Sequence, residues 1–188
     1  MQIIEITILN TPSLRHKFIQ NFLISWDEFQ ISHKDFIENI AKNGNIIFDE
    51  KMYNESLMWD KMPTTYPKVS FNKALNFLKS KNHEIIFISE TDNYPFAFPL
   101  TYKGENIPSF IAKADAKALA SLIEYEWFES YRLAEQGMYN PDFMLPEDLY
   151  VFDDSFEWVI VFTHETLDYE TESLMVEAES RLCIMYTK

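Results

Sequence analysis

Glycine is scarce in this chain of 188 residues: Gly44, Gly104 and Gly137 stand singly and far apart. That scarcity removes whole classes of chemistry. A phosphate-cradling P-loop needs two glycines at fixed spacing ahead of a lysine, and a dinucleotide fold needs G-x-G-x-x-G so that backbone can approach a pyrophosphate. The G-x-S-x-G turn that exposes a nucleophilic serine is missing as well. Cysteine is scarcer still. Cys183 stands alone, so no intrachain disulfide can form and nothing points to an oxidising compartment. The opening residues, MQIIEITILNTPSLRHKF, carry neither a basic leader nor a small-residue cleavage site. No apolar stretch reaches the roughly 20 residues of a spanning helix. The expectation is a cytoplasmic chain with no membrane partner.

Basic residues are missing from one half. Residues 1–104 hold 12 acidic and 11 basic side chains, whereas residues 105–188 hold 18 acidic and 5 basic, a net charge of −13. Phosphate binding needs a basic face, so this balance argues against nucleic acid as a direct ligand. A basic protein partner fits better, because opposed fields steer and speed association. Solubility alone is the plainer explanation of the same charge.

What is present is apolar and aromatic. Apolar residues make up 47% of the chain and aromatic ones 16%, which suits one domain with a bulky core rather than a disordered chain. Residues 2–9 read as a strand or the approach to a helix. Pro12 and Ser13 start a helix in which Leu14, Phe18, Phe22, Leu23 and Trp26 recur at helical spacing. A second helix begins near Ser32, with Phe36, Ile37 and Ile40 on one side, and Asn43-Gly44 stops it. Residues 45–48 read as extended and residues 53–70 as irregular. Ser70 caps a third helix, and residues 84–90 form a strand on which residues 96–102 fold back. The longest helix spans about 115–135, its face set by Leu119, Leu122, Ile123, Trp127, Tyr131 and Ala134. Strands follow at 149–152, 156–164 and 181–186. The order predicts an α+β fold, one domain with a mostly antiparallel sheet covered by helices, its first 45 residues helical and residues 46–188 forming the sheet and the long helix.

Near the C-terminus His164-Glu165-Thr166-Leu167-Asp168 falls one letter short of the zinc-peptidase signature H-E-x-x-H. A metal-assisted hydrolase using His164, Glu165 and Asp168 is therefore one reading. The mechanism needs a helix, which sets two ligands on one face with the glutamate as general base between them. The preceding Val159-Ile160-Val161-Phe162-Thr163 is β-branched and aromatic, which favours a strand. Strand alternation then puts Phe156, Trp158, Ile160, Phe162 and His164 on one face, with Glu165 on the other. On that reading His164 is structural, and neither metal nor cofactor is expected. Cys183 could approach His164 if their strands pair, but RLCIMY reads as a buried strand rather than the setting of a reactive thiol. Asp153-Asp154-Ser155 is most simply a turn. Tyr125, Trp127, Phe128, Tyr131 and Tyr139 lie among Glu124, Glu126 and Glu129. Trp127 and Tyr131 belong to the helical core face, whereas Tyr125, Phe128 and Tyr139 fit either a second buried face or an exposed binding surface.

The stretch LIEYEWFESYRLAEQGMYNPDFMLPEDLYVFDDSFEWVIVFTHET resembles a group of small bacterial proteins ending in a D-L-Y-V-F-D, S-F-x-W, F-T-H-E signature. Upstream, SLMWDKM and FNKALNFLKSKNHEIIFISE look like the same pattern, so the resemblance covers about residues 50–165. Such proteins are similar to immunity proteins of contact-dependent and polymorphic toxin systems. The resemblance implies a non-catalytic cytoplasmic protein that blocks a cognate toxin. With the charge, it directs attention to Asp153, Asp154, Glu157, Glu165, Asp168, Glu170 and Glu172 as contacts for a basic toxin domain. A small intracellular adaptor or an oligomeric structural protein is the remaining expectation.

Overall fold

The computed structural model describes the backbone of residues 7–9, 12–44, 46–89, 100–102, 105–107, 111–135, 148–166 and 181–188. In chain order these form β1 (Thr7–Leu9), α1 (Pro12–Phe22), α2 (Trp26–Ser32), α3 (Lys34–Gly44), α4 (Glu50–Glu55), a 3-10 turn (Met58–Lys61) and β2 (Lys68–Ser70). Then come α5 (Phe71–Lys79), β3 (Glu84–Ser89), β4 (Leu100–Tyr102), β5 (Glu105–Ile107), β6 (Ile111–Asp115), α6 (Ala116–Glu135), β7 (Leu149–Phe152), β8 (Trp158–Thr166) and β9 (Arg181–Thr187).

Among the described residues seven strands make one sheet, ordered β1-β6-β3-β7-β8-β9-β2, with every pairing antiparallel. Both faces are covered, which explains the near-continuous apolar runs of its central strands. On one face Ile85, Phe87, Leu149, Val151, Trp158, Ile160, Phe162 and Cys183 pack under α5 and α6, through Phe71, Leu75, Leu78, Leu119 and Ile123. On the other, Ile86, Ile88, Tyr150, Phe152, Val159, Val161 and Ile184 pack against Phe18 and Phe22 of α1 and against Met58 and Met62. The strand period of two sorts β3, β7 and β8 cleanly between these faces. The α+β expectation, an antiparallel sheet covered by helices in a single domain, is therefore what the chain forms.

Several local expectations change. The helix at Pro12 stops at Phe22, and α2 starts afresh after Ser25, whose hydroxyl accepts from the Glu28 backbone while Glu28 Oε2 accepts from the Ser25 N–H at 2.9 Å. This reciprocal capping box overrides the helical spacing that had joined Trp26 to α1. The Ser25 N–H and the Ser25 hydroxyl, which donates to Glu28 Oε2 at 2.9 Å, together hold this exposed carboxyl below its ordinary value. β1 brings the N-terminal part into the sheet, so residues 1–45 are not purely helical. The region read as irregular, residues 53–70, contains the end of α4, the 3-10 turn and β2. The described end of the return segment, β4, pairs with β5 in a separate two-stranded sheet, and β3 lies instead between β6 and β7. The β6 sequence, IAKAD, has little β-branched content and gave no strand signal.

Candidate functional site

The turn between β7 and β8 carries the described acids of interest, and Asp153 builds it. The Phe156 N–H donates to the Asp153 carbonyl at 3.1 Å, closing the turn. The Ser155 N–H donates to Asp153 Oδ1 at 3.0 Å, and the Ser155 hydroxyl donates to the same oxygen. Glu157 N–H then donates to Ser155 Oγ at 3.2 Å. This is the local bonding for which aspartate and serine suit turns.

Asp153 also reaches beyond the turn. Its Oδ2 accepts from Trp158 Nε1 at 2.6 Å, and His83 Nε2, from the segment between α5 and β3, lies 3.0 Å from it. Burial alone would raise the Asp153 pKa, but bonds from Ser155, Trp158 and His83 outweigh it, and the net shift is downward. The indole it anchors meets Phe77 edge-on at 5.4 Å, and Lys81 Nζ sits 4.7 Å from the Trp158 ring and 4.3 Å from Phe77. Such cation–ring contacts tie the same segment to the strand end.

The contacts run Ser155, Asp153, His83, with the carboxylate in the middle. Nucleophile activation needs the imidazole between serine and carboxylate. This arrangement fixes a turn rather than arming a hydroxyl.

The neighbouring acids face outward. The Asp154 side chain is 73% exposed, and its 3.5 Å approach to Lys113 Nζ is a surface pair of little weight. Glu157 is exposed, and its carbonyl accepts from the Lys188 N–H at 2.7 Å. Phe156 takes φ 52°, a left-handed conformation rare for a bulky residue. Its ring turns toward Phe152 and Phe22, at 5.4 and 6.4 Å. It therefore packs on the α1 side, not on the Trp158 face where strand alternation had put it. The regular strand begins only at Trp158.

His164 and Glu165 lie within β8, an extended strand rather than the helix that H-E-x-x-H geometry requires. From Phe162 to Thr166 the pairing with β9 is irregular: Phe162 opposes Cys183 and Thr166 opposes Arg181, so four steps of one strand meet two of the other. The facing of His164 therefore does not follow from simple alternation. At this irregularity the Thr163 hydroxyl, fully buried, donates to the Leu182 carbonyl at 2.8 Å. Cys183 is wholly buried within the α5/α6-side core, unlike a reactive thiol. The side chains of His164 and Glu165, and all of Asp168, Glu170 and Glu172, lie outside the described residues. Among the described residues no group of three or more His, Cys, Asp or Glu is placed to share a metal ion.

On α6, Tyr125 is half exposed beside Glu124, which pairs with Lys79 Nζ at 2.6 Å. Leu119 and Ile123 are buried as the helical spacing predicts. The side chains of Trp127, Phe128, Tyr131 and Ala134, and all of Tyr139, lie outside the described set. Sequence reasoning found the turn but missed His83 and Trp158 as its partners. A local signal existed for Trp158, five residues on; for His83, 70 residues away, there was none.

Comparison with protein-family models, with curated proteins and with solved structures finds no match for this chain.

Proposed function

We propose that this chain is a non-catalytic binding protein of the immunity class, which neutralises a basic toxin domain through an acidic surface. The carrying observation is the uneven charge, net −13 over residues 105–188 against −1 over residues 1–104. A net negative charge of that size speeds capture of a basic protein. The β7–β8 turn supports the reading, since it holds Asp154 and Glu157 outward on a backbone fixed by Asp153. Asp153 belongs to the surface mainly as its support, because its own oxygens are engaged. Glu165, Asp168, Glu170 and Glu172 extend the acidic set along the chain beyond it.

Immunity proteins of this kind are encoded beside the toxin they block, which sets the experiment. Expression of the chain should restore growth to cells making the toxin domain of the neighbouring reading frame. The double variant Asp154→Lys/Glu157→Lys should protect less well at equal expression. A neighbouring toxin that kills equally with and without the chain would contradict the reading.

A further inference from the structure

Gly44 ends α3 without needing to be glycine. It lies outside the left-handed region, and a Cβ added there would first meet Ile46 Cδ1 at 3.4 Å, an ordinary contact with a flexible side chain. The residue before it is asparagine, and Asn43-Gly44 is the single Asn-Gly pair in the chain. That pair carries a chemistry of its own. With no side chain on the second residue, its backbone nitrogen can close on the asparagine side chain with least hindrance.

The place suits the reaction as well as the pair does. A helical backbone holds the Gly44 nitrogen away from Asn43 Cγ, so ring closure needs the last turn to open. Helix ends fray, and openings of exposed ends lie at the low end of local stability. None of the 11 residues of α3 is buried, and residues 41–44 are all exposed. The ion pair at that turn, Lys42 Nζ to Glu38 Oε2 at 3.7 Å, is itself exposed and of little weight.

We propose that Asn43 is a site of spontaneous deamidation. The Gly44 nitrogen attacks Asn43 Cγ as its own proton leaves, the bond from Cγ to the side-chain nitrogen breaks, and ammonia departs. The resulting succinimide then adds water at either carbonyl. Opening one way gives aspartate; opening the other gives isoaspartate, with the chain running on through the β-carbonyl. No oxidation state changes and no enzyme is required. Both products put a carboxylate at the C-terminal end of α3, where the helix dipole disfavours negative charge. Isoaspartate also adds a methylene to the backbone, which ends the helix at that residue. The inference does not depend on the toxin reading.

Peptide mapping of the full folded chain, aged at mildly alkaline pH and compared with a fresh sample, tests it. Trypsin cutting after Lys42 and Lys51 frees residues 43–51, which hold Asn43 and Asn45 together. Asn45 precedes the β-branched Ile46, so it is the control within the same peptide. Asn43 should convert severalfold faster than Asn45 and yield both isoaspartate and aspartate. Gly44→Ala should slow the conversion severalfold and keep the wild-type circular dichroism. Conversion of Asn43 no faster than that of Asn45 would overturn the proposal, as would a rate indifferent to Gly44→Ala. Aspartate without isoaspartate would overturn it too, since that marks direct hydrolysis rather than ring closure.

Discussion

Asp153 shows how a residue's surroundings decide its part. Alone in the sequence it is one acid of a turn; in the fold its carboxylate takes bonds from Ser155, Trp158 and His83. Asp153→Asn keeps the size but turns one acceptor oxygen into a donor amide, so some of these donors lose their partner. The expected loss is about 1–3 kcal/mol of unfolding free energy, measured by urea denaturation at neutral pH. The pH dependence has a definite sign. The folded-state pKa lies below the ordinary 3.8, so in acid the unfolded chain takes up the proton first. The contribution of Asp153 is complete above that ordinary value and fades as pH falls through the depressed one. Asp153→Asn should therefore lose stability less steeply than wild type below about pH 4. Phe156 sets two effects against each other. Phe156→Gly relieves a left-handed backbone worth about 1–2 kcal/mol but removes the ring packed on Phe152 and Phe22. It should cost less than Phe22→Ala, for which about 3–5 kcal/mol is expected at a fully buried site. Equal losses in the two variants would mean that the backbone at 156 stores no strain.

Elements were legible where their signals are local. The strand at β3 showed itself by its Ile and Phe content, and Ser70 by its place before the apolar spacing of α5. Ser70 Oγ accepts from Lys73 N–H at 3.4 Å, a long bond for a cap. The Ser25 hydroxyl accepts from the Glu28 N–H at 3.3 Å and also donates to Glu28 Oε2 at 2.9 Å, two bonds against one. Ser25→Ala should thus destabilise more than Ser70→Ala, by about 1 kcal/mol against less, as seen by thermal melts. That same box was hidden in the sequence, because Trp26 keeps step with the apolar side of α1 and the helix break leaves the periodicity intact. Strand partners were hidden too. β3 pairs with β6 and β7, and such choices depend on contacts distant in sequence, not on propensity. The irregularity at Phe162–Thr166 belongs to this class, since it exists only in the pairing of β8 with β9. It is why the facing of His164 could not be read from alternation alone.

At the scale of the molecule, charge and apolar surface separate along the chain. Among the described residues both faces of the sheet are covered, while Phe36, Ile46 and Ile47 stay exposed in and just after α3. The charge half of this description was open to inspection in the sequence. The α3 patch was not, because an amphipathic spacing reads the same whether its apolar side is buried or bare. The proposed function requires that this acidic chain capture a basic protein. Its most direct measurement is the association rate with the purified, inactivated toxin domain of the neighbouring frame, followed by stopped flow at low and high salt. The rate should fall tenfold or more between about 50 and 500 mM salt, as screening shortens the reach of the field. Asp154→Lys/Glu157→Lys should lower the low-salt rate severalfold, with dissociation changing much less. A rate indifferent to both salt and charge reversal would contradict it.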